Sequence, residues 1–147
     1  MFINFVIINN FASITYSWRM VTFAYDFLFR KVYILCHITM RMKIGQIVKF
    51  NKRMGGQVKS LSSLQFAIDY KNKNTIVRLA HITRAIAVDH PFTDANKRTT
   101  HYVIKNIARK KGLNLNDERL TKHIYAISSK NITNINNIRK RIYDAKK

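Results

Sequence analysis

The chain has 147 residues, 47% of them apolar, enough to supply the core of a single domain. Its formal net charge of +20 points to polyanionic partners (nucleic acid, acidic protein faces, anionic lipid, phosphorylated small molecules) without choosing among them. A single cysteine, Cys36, excludes an internal disulfide and a cysteine metal cluster, so a reducing cytoplasm is the expected setting.

Composition breaks near Met42. Residues 1 to 41 hold ten of the seventeen aromatics but four of the 27 Lys plus Arg, which leaves 23 basic and six acidic side chains to residues 42 to 147. Residues 1 to 18 are uncharged and close to the shortest membrane span, yet Asn4, Asn9, Asn10, Ser13, Thr15 and Ser17 make a weakly apolar one. A secretory signal would begin with a positive region, and none is present. A native start at Met40 or Met42, preceded by an upstream extension rich in the Phe, Ile, Asn, Tyr and Lys of AT-rich codons, is favoured over an anchor or an extra packed segment. Residues 1 to 41 therefore stay unassigned, and a domain is expected from Met42 to Lys147.

In chain order from Met42, Ile44, Ile47 and Val48 lie three and four apart and the pattern stops at Gly55-Gly56, which predicts one helix. "QVKSLSSL" reads as a polar loop with some extended character. Leu61, Leu64, Phe66, Ala67 and Tyr70 predict a short helix that runs out in "KNKN". "TIVRLAHITRAIAVDH" is the clearest helix, capped by Asn74 or Thr75, with Ile76, Leu79, Ala80, Ile86 and Ala87 on one face, interrupted by Thr83 and widened by Ile82. That stripe is read as core. Tyr102, Val103, Ile107 and Ala108 carry a further helix to a left-handed stop at Gly112. Asn116 caps the next, with Asp117 and Glu118 in the favourable first turn, and Ile135, Ile138 and Ile142 define a last one. No sustained alternation predicts a strand and no repeat stands out, so the expected architecture is a compact all-α domain.

Between two of these helices lies "VDHPFTDANKRTT", Val88 to Thr100, around the chain's one proline, Pro91. A helix start offers unpaired N–H groups and a partial positive charge, which together attract anions. "DANKR" sits at such a start: small Ala95 lets backbone approach a ligand, and Lys97 and Arg98 add full charges, as a phosphate cradle requires. Asp94 conflicts with a bare anion unless a hard cation such as Mg²⁺, shared with phosphate oxygens, lies between them. Histidine is the residue type suited to activating a hydroxyl near neutral pH, which makes His90 the candidate base. Taken singly, His90 reads as a surface or structural residue, Asp94 as a cap, Asn96 as a turn residue, and Lys97 with Arg98 as a solvated face. Phe92 reads as core in either case. The joint occurrence in fixed order favours function.

That order, His90-Pro91-Phe92-Thr93-Asp94-Ala95-Asn96-Lys97-Arg98, closely resembles the Fic/Doc (Fido) signature His-x-Phe-x-Asp/Glu-Gly/Ala-Asn-Lys/Gly-Arg. "IVKFNKRMGG" looks like an early family helix leading towards a target-docking flap. The tail from Leu120 through "SSKNITNINNIRKRIY" is similar to the closing helices of the death-on-curing toxins. The likeness so traced runs from about Met42 to Tyr143 and implies a helical domain whose active-site loop leads into a central helix. Adenylyl-transferring members have Gly-Asn-Gly-Arg and a second arginine three places on; here those places hold Ala95, Lys97 and His101. The Doc branch has Ala-Asn-Lys-Arg, and its members pass the γ-phosphate of ATP to a threonine of elongation factor Tu. The resemblance thus implies a toxin-type kinase using ATP and Mg²⁺. His90 would be the base, Asp94 the Mg²⁺ ligand, and Ala95, Asn96, Lys97 and Arg98 the phosphate-binding group. Self-inhibiting members carry a Ser/Thr-x-x-x-Glu-Gly/Asn helix; here the one glutamate, Glu118, is followed by Arg119, so a separate acidic antitoxin is expected to close over the site beside Arg98.

AMP transfer is the main alternative reaction. A nucleic-acid-binding module is the non-enzyme alternative, set second because the lysines are scattered and no helix-turn-helix glycine pattern appears. A metal-dependent phosphohydrolase built on His81, Asp89, His90 and His101 is set aside, since it wants His before Asp and this chain has Asp89-His90.

Overall fold

Six helices and no strand make up the described residues, as the apolar spacing predicts. The computed structural model describes residues 42–72 and 74–147, which belong to the second of two units of the chain, Met42–Lys147. The expectations for residues 1 to 41 lie outside the described residues.

The helices are α1 Ile44–Arg53, α2 Ser62–Asp69, α3 Thr75–Ala87, α4 Asn96–Lys110, α5 Asp117–Ser129 and α6 Ile135–Asp144. Asparagine starts three of them: Asn74, Asn116 and Asn134 each accept hydrogen bonds from first-turn N–H groups of α3, α5 and α6. Asp117 and Glu118 oppose the helix dipole at the start of α5, as Arg109 and Lys110 do at the end of α4. Gly55 (φ 89°) follows α1 and Gly112 (φ 68°) follows α4, both in the left-handed region that glycine enters without strain.

Helix α3 is the hub, packed against α2, α4, α5 and α6. Its predicted one-sided stripe proves too narrow. Leu79, Ala80, Ile82, Thr83, Ala85, Ile86 and Ala87 are all buried, because neighbours cover the helix on most sides, while Ile76 near its start is only partly covered. Phe92, Val103, Ile104, Leu120, Ile124, Ile127, Ile138 and Ile142 complete the core, each fully buried aliphatic or aromatic side chain contributing about 1.5–3 kcal/mol. Helix α1 joins α4 through a parallel stack of Phe50 on Tyr102, ring centroids 3.8 Å apart.

The segment after α1, read as loop with extended character, has a definite partner. It runs antiparallel to the loop between α3 and α4, with a bridge between Val58 and Phe92. Lys59 N donates to Pro91 O at 2.8 Å, Thr93 N to Gln57 O at 2.9 Å, and Gln57 N to the Thr93 hydroxyl at 2.9 Å. Sequence pattern could not reveal this, because the pairing spans more than thirty residues and is only a few long.

Candidate active site

The α3–α4 loop is held in a strained shape by its own residues and by Asn51 of α1. Among the described residues three non-glycines have positive φ, and two of them, His90 (47°) and Ala95 (60°), lie in this loop. Such backbone persists only where the surroundings over-determine it, and it clusters at functional sites. The surroundings are visible here. Phe92, 1% exposed, anchors the loop in the core. Asn96 clamps it, with Nδ2 donating to Phe92 O at 2.9 Å and Oδ1 accepting from Phe92 N at 3.3 Å. From α1, buried Asn51 donates Nδ2 to Asp94 O at 2.9 Å and to the Thr99 hydroxyl at 3.0 Å. Gly56 lies so close that a Cβ there would sit 2.7 Å from Asp94 O and 2.1 Å from Asn51 Oδ1.

This scaffold leaves the start of α4 open. Its N-cap is left-handed Ala95, and no side chain accepts from its first turn, whereas asparagine fills that role in α3, α5 and α6. First-turn N–H groups and the helix dipole therefore offer an anion site. Asp94 turns one carboxylate oxygen, Oδ1, to the Ala95 N–H. Arg98 reaches back towards Met54 O at 3.5 Å, and the Lys97 ammonium lies 4.7 Å from the centre of the Tyr125 ring.

All six sequence-predicted site residues, His90, Asp94, Ala95, Asn96, Lys97 and Arg98, line one cavity of about 520 Å³, in the size range of small-molecule sites. Their manner differs. His90, Asp94 and Arg98 are exposed, Lys97 is half-buried, and the Asn96 side chain is taken up by the loop, so this residue faces an anion with its backbone N–H rather than its amide. Asp94 sets a carboxylate, the oxygen ligand a hard divalent cation takes, on the same cavity as the start of α4, so it would suit a cation shared with phosphate oxygens; no group of three or more His, Cys, Asp or Glu that could hold a metal occurs among the described residues.

Three residues of this region escape sequence reading. Lys59 and Tyr125 also line the cavity, the first from the paired segment and the second from α5. Asn51 supports it from behind, and one signal was available: it falls four residues after buried Ile47, a polar side chain on a core-facing stripe in the last turn of α1. His101 lines a smaller neighbouring cavity of about 240 Å³ with Lys97, Arg98 and Tyr125, its Nε2 3.9 Å from the Asp117 carboxylate. His81 packs at 4.2 Å against Tyr70.

A family model described as the Fic/DOC family matches residues 29–108. The match covers more than half the chain, begins upstream of the Met42 from which the likeness was traced, and stops before α5 and α6. No curated protein and no solved structure matches the chain.

Proposed function

This chain belongs to the Fic/DOC family, whose members are generally transferases using ATP and a metal ion, and on that premise we propose that it transfers the γ-phosphate of ATP to a serine or threonine hydroxyl of a protein target. The observation that carries the reading is the uncapped start of α4, with His90, Asp94, Lys97 and Arg98 on the same cavity. Phosphoryl transfer asks mainly for positioning and neutralisation of charge, and these parts meet that need. The first-turn N–H groups of α4, with Lys97 and Arg98, bind the phosphates. The target hydroxyl oxygen forms a bond to the γ-phosphorus, the bond from that phosphorus to the β–γ bridging oxygen breaks, the hydroxyl proton goes to His90, and ADP leaves. Asp94 would hold Mg²⁺, which when bound would offset phosphate charge. Ala95, Lys97 and His101 support γ-phosphate transfer over AMP transfer, because the Gly-Asn-Gly-Arg pattern and second arginine of adenylyl-transferring members are replaced at these places.

The target is proposed to be a translation factor similar to elongation factor Tu. Restraint is assigned to a separate acidic antitoxin that closes over the site beside Arg98, in keeping with the formal charge of +20. Expression of the chain alone then arrests cell growth, and the H90A variant does not. A catalytically competent wild type that is harmless in cells contradicts the antitoxin. The reaction is tested by the co-product formed from ATP with a purified translation factor as target, counting only what His90→Ala fails to form: ADP supports phosphate transfer, whereas pyrophosphate makes the protein an adenylyltransferase.

A further inference from the structure

Tyr125 has no place in the motif, lies on α5 beyond the matched residues, and is 53% exposed, yet it touches both cavities at the start of α4. Exposing an aromatic ring beside a charged site calls for a reason. Its position is set by α5, whose Ile124 and Ile127 are buried while Tyr125 between them turns outward to the start of α4. There the Lys97 ammonium rests over its ring, 4.7 Å from the centroid, within reach of a cation–π attraction.

Lys97 is the second residue of α4, so its backbone already faces any anion at the helix start. Its long side chain is another matter. Four rotatable bonds let a free lysine wander into solvent or into the neighbouring cavity of about 240 Å³, and each binding event would have to order it again. A ring face beside the site removes much of that disorder in advance. An arginine would not need this help, since its planar fork is pre-organised.

We infer that Tyr125 is a positioning residue: its ring holds the Lys97 ammonium at the phosphate cavity and thereby raises affinity for nucleotide phosphates. This rests on the phosphate-binding reading of the cavity above. The ring acts through the lysine, so the base of the nucleotide gains nothing from it.

Titration calorimetry of the full chain with MgATP and with Mg²⁺ tripolyphosphate, on wild type, Y125A, Y125L, Y125F, K97M and K97M/Y125A, tests this. Y125A is expected to weaken both ligands alike, by about two- to five-fold as befits an exposed cation–π contact, with Y125F near wild type. In the K97M background Y125A then changes nothing further. Undiminished binding by Y125A overturns the inference, as does weakening confined to MgATP, which would make Tyr125 a base-stacking residue, or a loss that persists without Lys97. Loss of the fold by both Y125A and Y125L, followed by circular dichroism, makes the residue structural and overturns it too. Failure of the wild type to bind either ligand removes the phosphate site itself, whereas the preceding outcomes leave that site standing.

Discussion

Gly56 shows how little room the site leaves. A methyl group there meets the Asp94 carbonyl and the Asn51 amide, both of which fix the loop that carries His90. Gly56→Ala is therefore expected to cost about 1–3 kcal/mol of stability, as overpacking does, and to lower transfer activity more than its melting temperature alone suggests. A chemical denaturation curve and a rate measured well below the melting point separate the two; unchanged values of both would mean that the contact yields easily. Ala95 gives the opposite expectation. An L-residue at φ 60° is strained, so Ala95→Gly relieves about 1 kcal/mol, offset by glycine's greater freedom when unfolded, and leaves stability level or slightly raised. Ala95→Val, whose branched side chain tolerates that backbone far less well, loses stability clearly. Both residues were legible in different degrees. Ala95 announced itself by sequence, between Asp94 and Asn96, but the role of Gly56 depends on Asp94 coming to lie against it, which no local pattern encodes.

At the scale of elements, the helices were legible because each carries apolar residues at helical spacing and two of them, α3 and α5, start on the asparagines read as caps, Asn74 and Asn116. What was not legible is how they meet: the full burial of α3, the pairing of residues 57–60 with 91–93, and the placement of Tyr125 from α5 beside Lys97 from α4. Packing between α3 and α2, and between α5 and α6, also leaves a trace in titration. His81 on α3 is held below its ordinary 6.5 by burial and then by Arg84. His123 on α5 is held below 6.5 by burial first and then Arg141, with Asp144 opposing. A histidine whose folded value is depressed takes up protons more readily when the chain is unfolded. Stability from these two sites is therefore complete above pH 6.5 and declines as pH falls through their folded values. Unfolding curves at a series of pH values should show that decline, with a shallower slope for His123→Gln; equal slopes would mean that His123 plays no part.

For the whole molecule, charge is the dominant fact. Residues 42 to 147 carry 23 basic against six acidic side chains, and contacts of Asp117 to Lys105 (2.5 Å) and of Asp89 to Arg84 (4.0 Å) already engage two of the acids. Self-repulsion of this kind destabilises a folded chain and is screened within about 8–10 Å by ordinary salt. Raising sodium chloride from low to physiological strength should lift the melting temperature by a few degrees, and a fall would show that surface ion pairs outweigh the repulsion. No helix among the described residues is long and apolar enough to cross a membrane. The same charge favours polyanions at the cavity, but it does not specify which bond of a bound nucleotide would break. In the proposed phosphate transfer that choice is made at the start of α4, and ATP labelled separately at its α and γ positions tests it most directly. After incubation with cell extract, label from the γ position alone should appear on protein, and His90→Ala should abolish it. Label arriving from the α position would contradict phosphate transfer, and a His90→Ala variant that matches wild type would contradict the active site itself.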